Sequence, residues 1–226
     1  MTMPFYVAPE QVMKDKADYA RKGIARGRSL VGLVYGGGIL LAAENPSRTL
    51  HKISEIYDRI AFAGVGKFNE FDQLRVAGVR HADTKGYAYS REDVDARSLA
   101  NVYAQFLGQV LTHEMKPMEV EILVAEVGPP DSAEDQLYHV LFDGTVFDES
   151  RYSVLGGEAD AIQQRLETAY TDGASLADAV KVAVSALAGP ERTLAPAELE
   201  VGVLASSSAR RAFRRIEVEE LGVLLA

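Results

Sequence analysis

Between Leu30 and Glu44 the chain reads Leu-Val-Gly-Leu-Val-Tyr-Gly-Gly-Gly-Ile-Leu-Leu-Ala-Ala-Glu. Two apolar runs rich in branched side chains flank three glycines. The pattern predicts a β-hairpin, because glycine alone adopts positive φ at a tight turn without a Cβ clash. Both runs are nearly continuous in apolar residues instead of alternating with polar ones. Each strand is therefore expected to be covered on both faces, deep in a layered fold. A phosphate-binding loop is excluded: no helix start follows the glycines, and no Gly-Lys-Ser/Thr is present.

A chain of 226 residues is read as one domain, 1–226, large enough for a substantial core. No apolar run approaches the ~20 residues that span a bilayer, and the first thirty residues carry charge throughout, without a secretory apolar segment. There is no cysteine, which excludes disulfides and Cys-ligated zinc and fits a reducing cytoplasm. The net charge of −9 argues against nucleic acid as a partner. His51, His81, His113 and His139 are scattered, with no partner at metal-ligand spacing, so neither a metal nor a cofactor is expected. Arg210, Arg211, Arg214 and Arg215 form a basic cluster, read as a solvated strand edge or subunit contact.

Taken in order, residues 1–8 carry no helix or strand pattern and read as a mobile tail, though one that includes Phe5 and Tyr6. Pro9 suits a first helical turn. Met13, Ala17, Ala20 and Ile24 then mark one face of a helix over 9–26, and Gly27 closes it. A second hairpin is expected from Lys52–Tyr57 and Ile60–Gly64. Helices follow over 67–83, with Phe71, Leu74, Gly78 and Ala82 inward, and over 96–115, with Leu99, Val102, Tyr103, Phe106 and Val110 as its stripe. A strand over 119–127 ends at Gly128-Pro129-Pro130-Asp131, which opens a loop. Asp143-Gly144 signals another hairpin, and 152–155 is a further strand. Gly156-Gly157 opens a helix with Ile162, Leu166 and Tyr170. Ser175 and Asp178 resemble a capping box for the next helix, which Gly189-Pro190 ends. Strands over 199–204 and 211–216 and a helix over 217–226 complete the chain.

The opening hairpin, the helix before it and this order of elements resemble the proteasome subunits of the N-terminal-nucleophile hydrolase superfamily. That resemblance covers nearly the whole chain and implies an α/β fold, a four-layer α-β-β-α sandwich. In catalytic members the first strand begins with a threonine nucleophile. Here the matching position is Arg28, with Ser29 after it. Arg28 follows 27 other residues, so no free α-amino group sits beside it, and its guanidinium is permanently cationic. The resemblance therefore points to the non-catalytic α subunits, whose extra helix precedes this strand. Pro9 to Ala20, ending Asp18-Tyr19-Ala20, is similar to their Pro…Glu-Tyr-Ala segment, with Asp18 in place of glutamate. Their Tyr-Asp-Arg gate motif is absent from residues 1–8, and Tyr57-Asp58-Arg59 carries the same letters only at a turn between strands. Glu44-Asn45-Pro46-Ser47-Arg48 and Arg211-Ala212-Phe213-Arg214-Arg215 are most similar to the actinobacterial type.

The resemblance implies seven-membered rings of α subunits that cap rings of catalytic β subunits. It implies an axial gate formed by Thr2, Met3, Pro4, Phe5, Tyr6, Val7 and Ala8, through which unfolded protein passes. It also implies a pocket at Lys52, shaped by Gly27, Gly66 and Lys67, that receives the C-terminal carboxylate of a ring-shaped ATPase. An ammonium in a partly dry groove is a good carboxylate receiver. Lys67 stands where an apolar residue is usual, which would make the pocket more electropositive. The alternative is an active hydrolase whose nucleophile is Thr2, exposed by removal of Met1.

Overall fold

The computed structural model describes residues 8–128, 135–207 and 210–226. The expected gate residues Thr2 to Val7, most of the proline loop after Gly128, and Ser208 lie outside them.

The glycine-centred hairpin forms as expected. β1 (Leu30–Tyr35) and β2 (Gly38–Glu44) pair in antiparallel register from Leu30 against Ala43 to Tyr35 against Gly38. Gly38 sits at φ 132°, and a Cβ there would overlap the carbonyl oxygen of Leu204. Only glycine fits that position.

The remaining elements are α1 (Pro9–Ala25), β3 (Ile53–Tyr57), β4 (Ile60–Gly66), α2 (Phe68–Ala88), α3 (Ala96–His113), β5 (Val120–Glu126), β6 (Gln136–Val140), β7 (Val146–Glu149), β8 (Tyr152–Leu155), α4 (Ala159–Ala169), α5 (Leu176–Ala188), β9 (Leu199–Ala205), β10 (Phe213–Ile216) and α6 (Val218–Leu225). Among the described residues, one sheet has the order β10-β9-β2-β1-β8 and the other β3-β4-β5-β6-β7. Every pairing is antiparallel.

Side-chain alternation sorts the hairpin into two layers. Leu30, Ile39, Leu41 and Ala43 point between the sheets, where they meet Ile53, Ala61, Ala63, Val65, Leu123 and Ala125. Val31, Leu33, Leu40 and Ala42 point the other way, onto Ile162 and Leu166 of α4 and Ala179, Val180 and Ala183 of α5. The outer face of the second sheet is covered by α2 and α3 through Phe71, Leu74, Leu99, Tyr103 and Leu107. This is the four-layer α-β-β-α sandwich. The double burial of β1 and β2 is why their sequence reads as an unbroken apolar run.

Three local expectations change. The second helix continues past Asp83 to Ala88, because Gly86 packs against Tyr57, whose hydroxyl occupies the space a side chain would need. Val102 and Phe106 lie outside the buried face of α3, which is instead Leu99, Ala100, Tyr103, Leu107 and Leu111. Met13 is also exposed, because α1 reaches the inter-sheet core only from Ala17 onward, through Ala20 and Ile24.

At Gly32 β1 lacks a side chain, and the facing sheet fills the space. A Cβ on Gly32 would overlap Leu123 Cδ2 and lie 3.1 Å from Leu41 Cδ2, and both leucines are fully buried. Gly32→Ala should therefore destabilise the chain by about 1–3 kcal/mol, the usual cost of overpacking a core. A urea unfolding curve with an unmoved midpoint would show that the sheets tolerate wider separation.

Candidate functional site

At one rim of the sandwich, polar side chains gather where chain segments enter or leave the buried strands. α1 ends at Ala25, Arg26 caps it, and Gly27 turns the chain into Arg28, Ser29 and β1. A Cβ on Gly27 would lie 3.0 Å from the backbone nitrogen of Gly66 and 3.1 Å from Val65 Cγ1. Gly66 itself adopts φ 106°, where a side chain would overlap Glu119 O. The two glycines thus let the α1–β1 corner touch the end of β4. Gly156 and Gly157, before α4, back onto Ser29 and Ala25 in the same way.

This corner leaves a cleft of about 260 Å³, lined by Ala25, Arg26, Gly27, Arg28, Ser29, Glu44, Gly157, Glu158, Leu187 and Arg192. Glu44, the last residue of β2, is largely buried and pairs with Arg28, while Arg192 approaches its other oxygen at 3.3 Å. Lys52 precedes β3, and its Nζ donates to the carbonyl oxygen of Arg28 at 2.6 Å. Among the described residues this is the only hydrogen bond of that ammonium. Two of its three N–H bonds remain for an incoming acceptor. Burial pushes the Lys52 ammonium down to about 8, with Glu200 opposing that shift, Arg28 adding to it and Glu44 opposing it. A half-buried ammonium short of acceptors gains most from a carboxylate that reaches it.

The structure brings Lys52, Gly27 and Gly66 to one corner through Arg28 and Val65. Lys67 follows Gly66 as the cap residue of α2, but its charge is shared with carboxylates: Nζ lies 3.6 Å from Glu70 and 3.9 Å from Glu119. Lys116 binds the same two, at 2.7 and 3.0 Å. The extra lysine therefore adds little free positive potential. Ala8 precedes α1 as an exposed, extended residue whose carbonyl accepts from Gln11 N and Val12 N. The basic cluster is not a free patch either, since Arg211 pairs with Glu55, Arg214 with Glu220 and Arg215 with Glu200.

Sequence reading missed Glu44, Arg192 and Glu200. A signal existed for the two acids: each is the single charged residue of an otherwise apolar strand. Arg192 carries no such mark; only the fold places it beside Glu44.

The family model described as proteasome subunit matches residues 24–204, from the end of α1 into β9. The chain belongs to the proteasome subunit family. It is 64% identical over 221 residues to the proteasome subunit alpha of Acidimicrobium ferrooxidans, covering 98% of this chain and 95% of that one. It is 58% identical to those of Xylanimonas cellulosilytica, over 96% and 93% of the two chains, and Thermobifida fusca, over 100% and 91%. The proteasome α-subunit assignment agrees with Arg28 at the start of β1. Its backbone nitrogen is a peptide nitrogen in a chain continuous with α1, and its side chain is held by Glu44. This is a non-catalytic member. No helix of its described residues is long and apolar enough to cross a membrane.

The titration of Lys52 is directly measurable. In competitive acylation followed by mass spectrometry, Lys52 should reach half-maximal reactivity near pH 8, because only the neutral amine reacts. Lys116, whose ammonium is raised by its bonds to Glu70 and Glu119 against a smaller effect of burial, should be slow. Equal reactivity of the two lysines would contradict the desolvated position of Lys52.

Proposed function

We propose that this chain is the entry-gating and activator-docking α subunit of a proteasome core particle. Copies of it form seven-membered rings that cap rings of catalytic β subunits, and the particle degrades unfolded protein in the cytoplasm with the help of a ring-shaped ATPase. Catalysis belongs to the β subunit. Thr2, Met3, Pro4, Phe5, Tyr6, Val7 and Ala8 narrow the axial entry, where apolar contacts among several tails are individually weak and appreciable in sum.

The observation that carries this reading is the placement of α1. Its N-terminal end receives the tail at Ala8, and its C-terminal end forms the wall of the cleft at Ala25 and Arg26. Its 17 residues make a rod about 25 Å long at 1.5 Å per residue. The rod is anchored along its length: Lys16 Nζ donates to the carbonyl oxygens of Leu111 and Glu114 at the end of α3, at 2.9 and 2.7 Å, and Gly23 lies against Glu119. A ligand at the cleft end therefore acts on the same rigid element that carries the tail end. The ATPase carboxylate, received at Lys52, favours the open gate only because it binds that arrangement better than the closed one.

The sign of the pH dependence follows from Lys52. A carboxylate binds the ammonium and not the neutral amine. With a titration near pH 8, the lysine is roughly 90% charged at pH 7 and roughly 10% at pH 9. Affinity for a peptide ending in a free carboxylate should fall by roughly tenfold across that range, and the amidated peptide should show no such fall.

The decisive test uses particles co-expressed with the β subunit of the same genome. Lys52→Ala should remove stimulation of peptide hydrolysis by the ATPase. Deletion of residues 2–8 should raise hydrolysis without the ATPase. Stimulation that survives Lys52→Ala would sink the docking assignment, and labelling of Thr2 by a threonine-directed covalent probe would sink the gating one.

A further inference from the structure

Glu200 is a carboxylate where the pattern calls for an apolar residue. It is the second residue of β9, in Leu-Glu-Val-Gly-Val-Leu-Ala, and is only 7% exposed. Burying an ion is costly unless its lone pairs are met, and here they are met by the segment after β2, the entry to β3 and β10. Oε2 accepts from the backbone nitrogen of Lys52 at 2.8 Å and from Asn45 Nδ2 at 2.7 Å. Oε1 accepts from the backbone nitrogen of Ile53 at 3.2 Å and from the Arg215 guanidinium, with His51 Nδ1 3.3 Å away. His51, Lys52 and Ile53 are consecutive and form the entry to β3. Arg215 completes the brace by donating to Ile53 O at 2.8 Å. Glu200 and Arg215 thus hold both hydrogen-bonding groups of Ile53 and the N–H of Lys52.

We propose that Glu200 is the positioning residue of the docking lysine: it fixes the backbone from which Lys52 reaches Arg28 O, and its negative charge keeps that ammonium ready for a carboxylate. The inference rests on the docking reading above. Four influences meet at the ammonium: burial discourages its charge, Glu200 and Glu44 favour it, and Arg28 opposes it. Glu44 is occupied by Arg28 and Arg192. Glu200 is offset by Arg215 and approached by His51. A carboxylate neutralised completely by Arg215 would leave the titration of Lys52 nearly untouched, whereas one whose charge still reaches the ammonium raises it.

The test is pH-dependent acylation of Lys52 in the assembled particle, run from pH 7 upward, beyond the ordinary range of imidazole titration. Glu200→Gln should lower the midpoint by about one unit, the low end of the shift expected for loss of one nearby opposite charge. Arg215→Gln leaves Glu200 uncompensated and should move the midpoint upward. If Glu200→Gln does not assemble, Arg215→Gln still decides. Opposite shifts support the assignment. An unmoved midpoint in Glu200→Gln, or a downward shift in Arg215→Gln, overturns it. Binding of the carboxylate peptide to Lys52→Ala is measured in parallel. Undiminished binding there would reject the docking reading alone, because the acylation midpoint does not depend on any ligand.

Discussion

Each sheet is covered on both faces, one by the other sheet and the opposite one by helices, so a charge inside a central strand must find its partners within the protein. In β1, β2, β4 and β9 the only charged residues are Glu44, which ends β2, and Glu200, one residue inside β9. The register pairs Ala43 with Glu200 and Glu44 with Leu199, so the two acids occupy the same end of the paired strands but opposite faces, Glu200 on the inter-sheet side with Ala43 and Glu44 on the helix side with Leu199. Arg28, just before β1, and Lys52, just before β3, arrive at the same rim. The site is therefore tied to burial: in these four strands the charges stand at or next to the strand ends, where partners from neighbouring segments reach them.

Such a rim is a costly place for ions, and the pairing there reflects it. Glu44 is shared by Arg28 and Arg192, and Glu200 is met by Arg215 and by three backbone or amide donors. Removing one partner from such a group leaves a buried charge uncompensated, which costs far more than the pair contributes. Lys52 is the exception. It has lost water to burial yet has a single carbonyl to bond. That incomplete coordination leaves two N–H bonds of the ammonium for an acceptor, the basis of the docking proposal.

The fold was legible because its signals are local. Gly36 to Gly38 set the hairpin turn, Ser175 caps α5 by accepting from Asp178 N, and Gly189 ends that helix at φ 69°. Continuous apolar runs announced two-sided burial. What failed depended on distant contacts. The sequence pattern ends the second helix at Asp83, but it runs on to Ala88 with Gly86 against Tyr57, and Met13 looks like core until α1 is seen to overhang. At the site, Lys52 and the glycines came from the family pattern, since a lone lysine carries no periodicity. Glu200 was visible as an anomaly within an apolar strand, but its partners lie 147 or more positions away at Ile53, Lys52 and Asn45.

The same corner also explains how a hydrolase-type fold is held in a non-catalytic state. Acyl transfer at the start of β1 requires a nucleophile with an open approach and a base to activate it. Here the chain runs on without a break from α1 through Arg26 and Gly27 into Arg28, and Ala20 and Ile24 of that helix are built into the inter-sheet core. Lys52 bonds the Arg28 carbonyl and has no hydroxyl to activate. Removing α1 to reopen the approach would expose part of the core that the two sheets share, so the helix is a structural requirement before it is a lever. Lys52 is tied to that continuous chain through the carbonyl of the residue that stands where a nucleophile would.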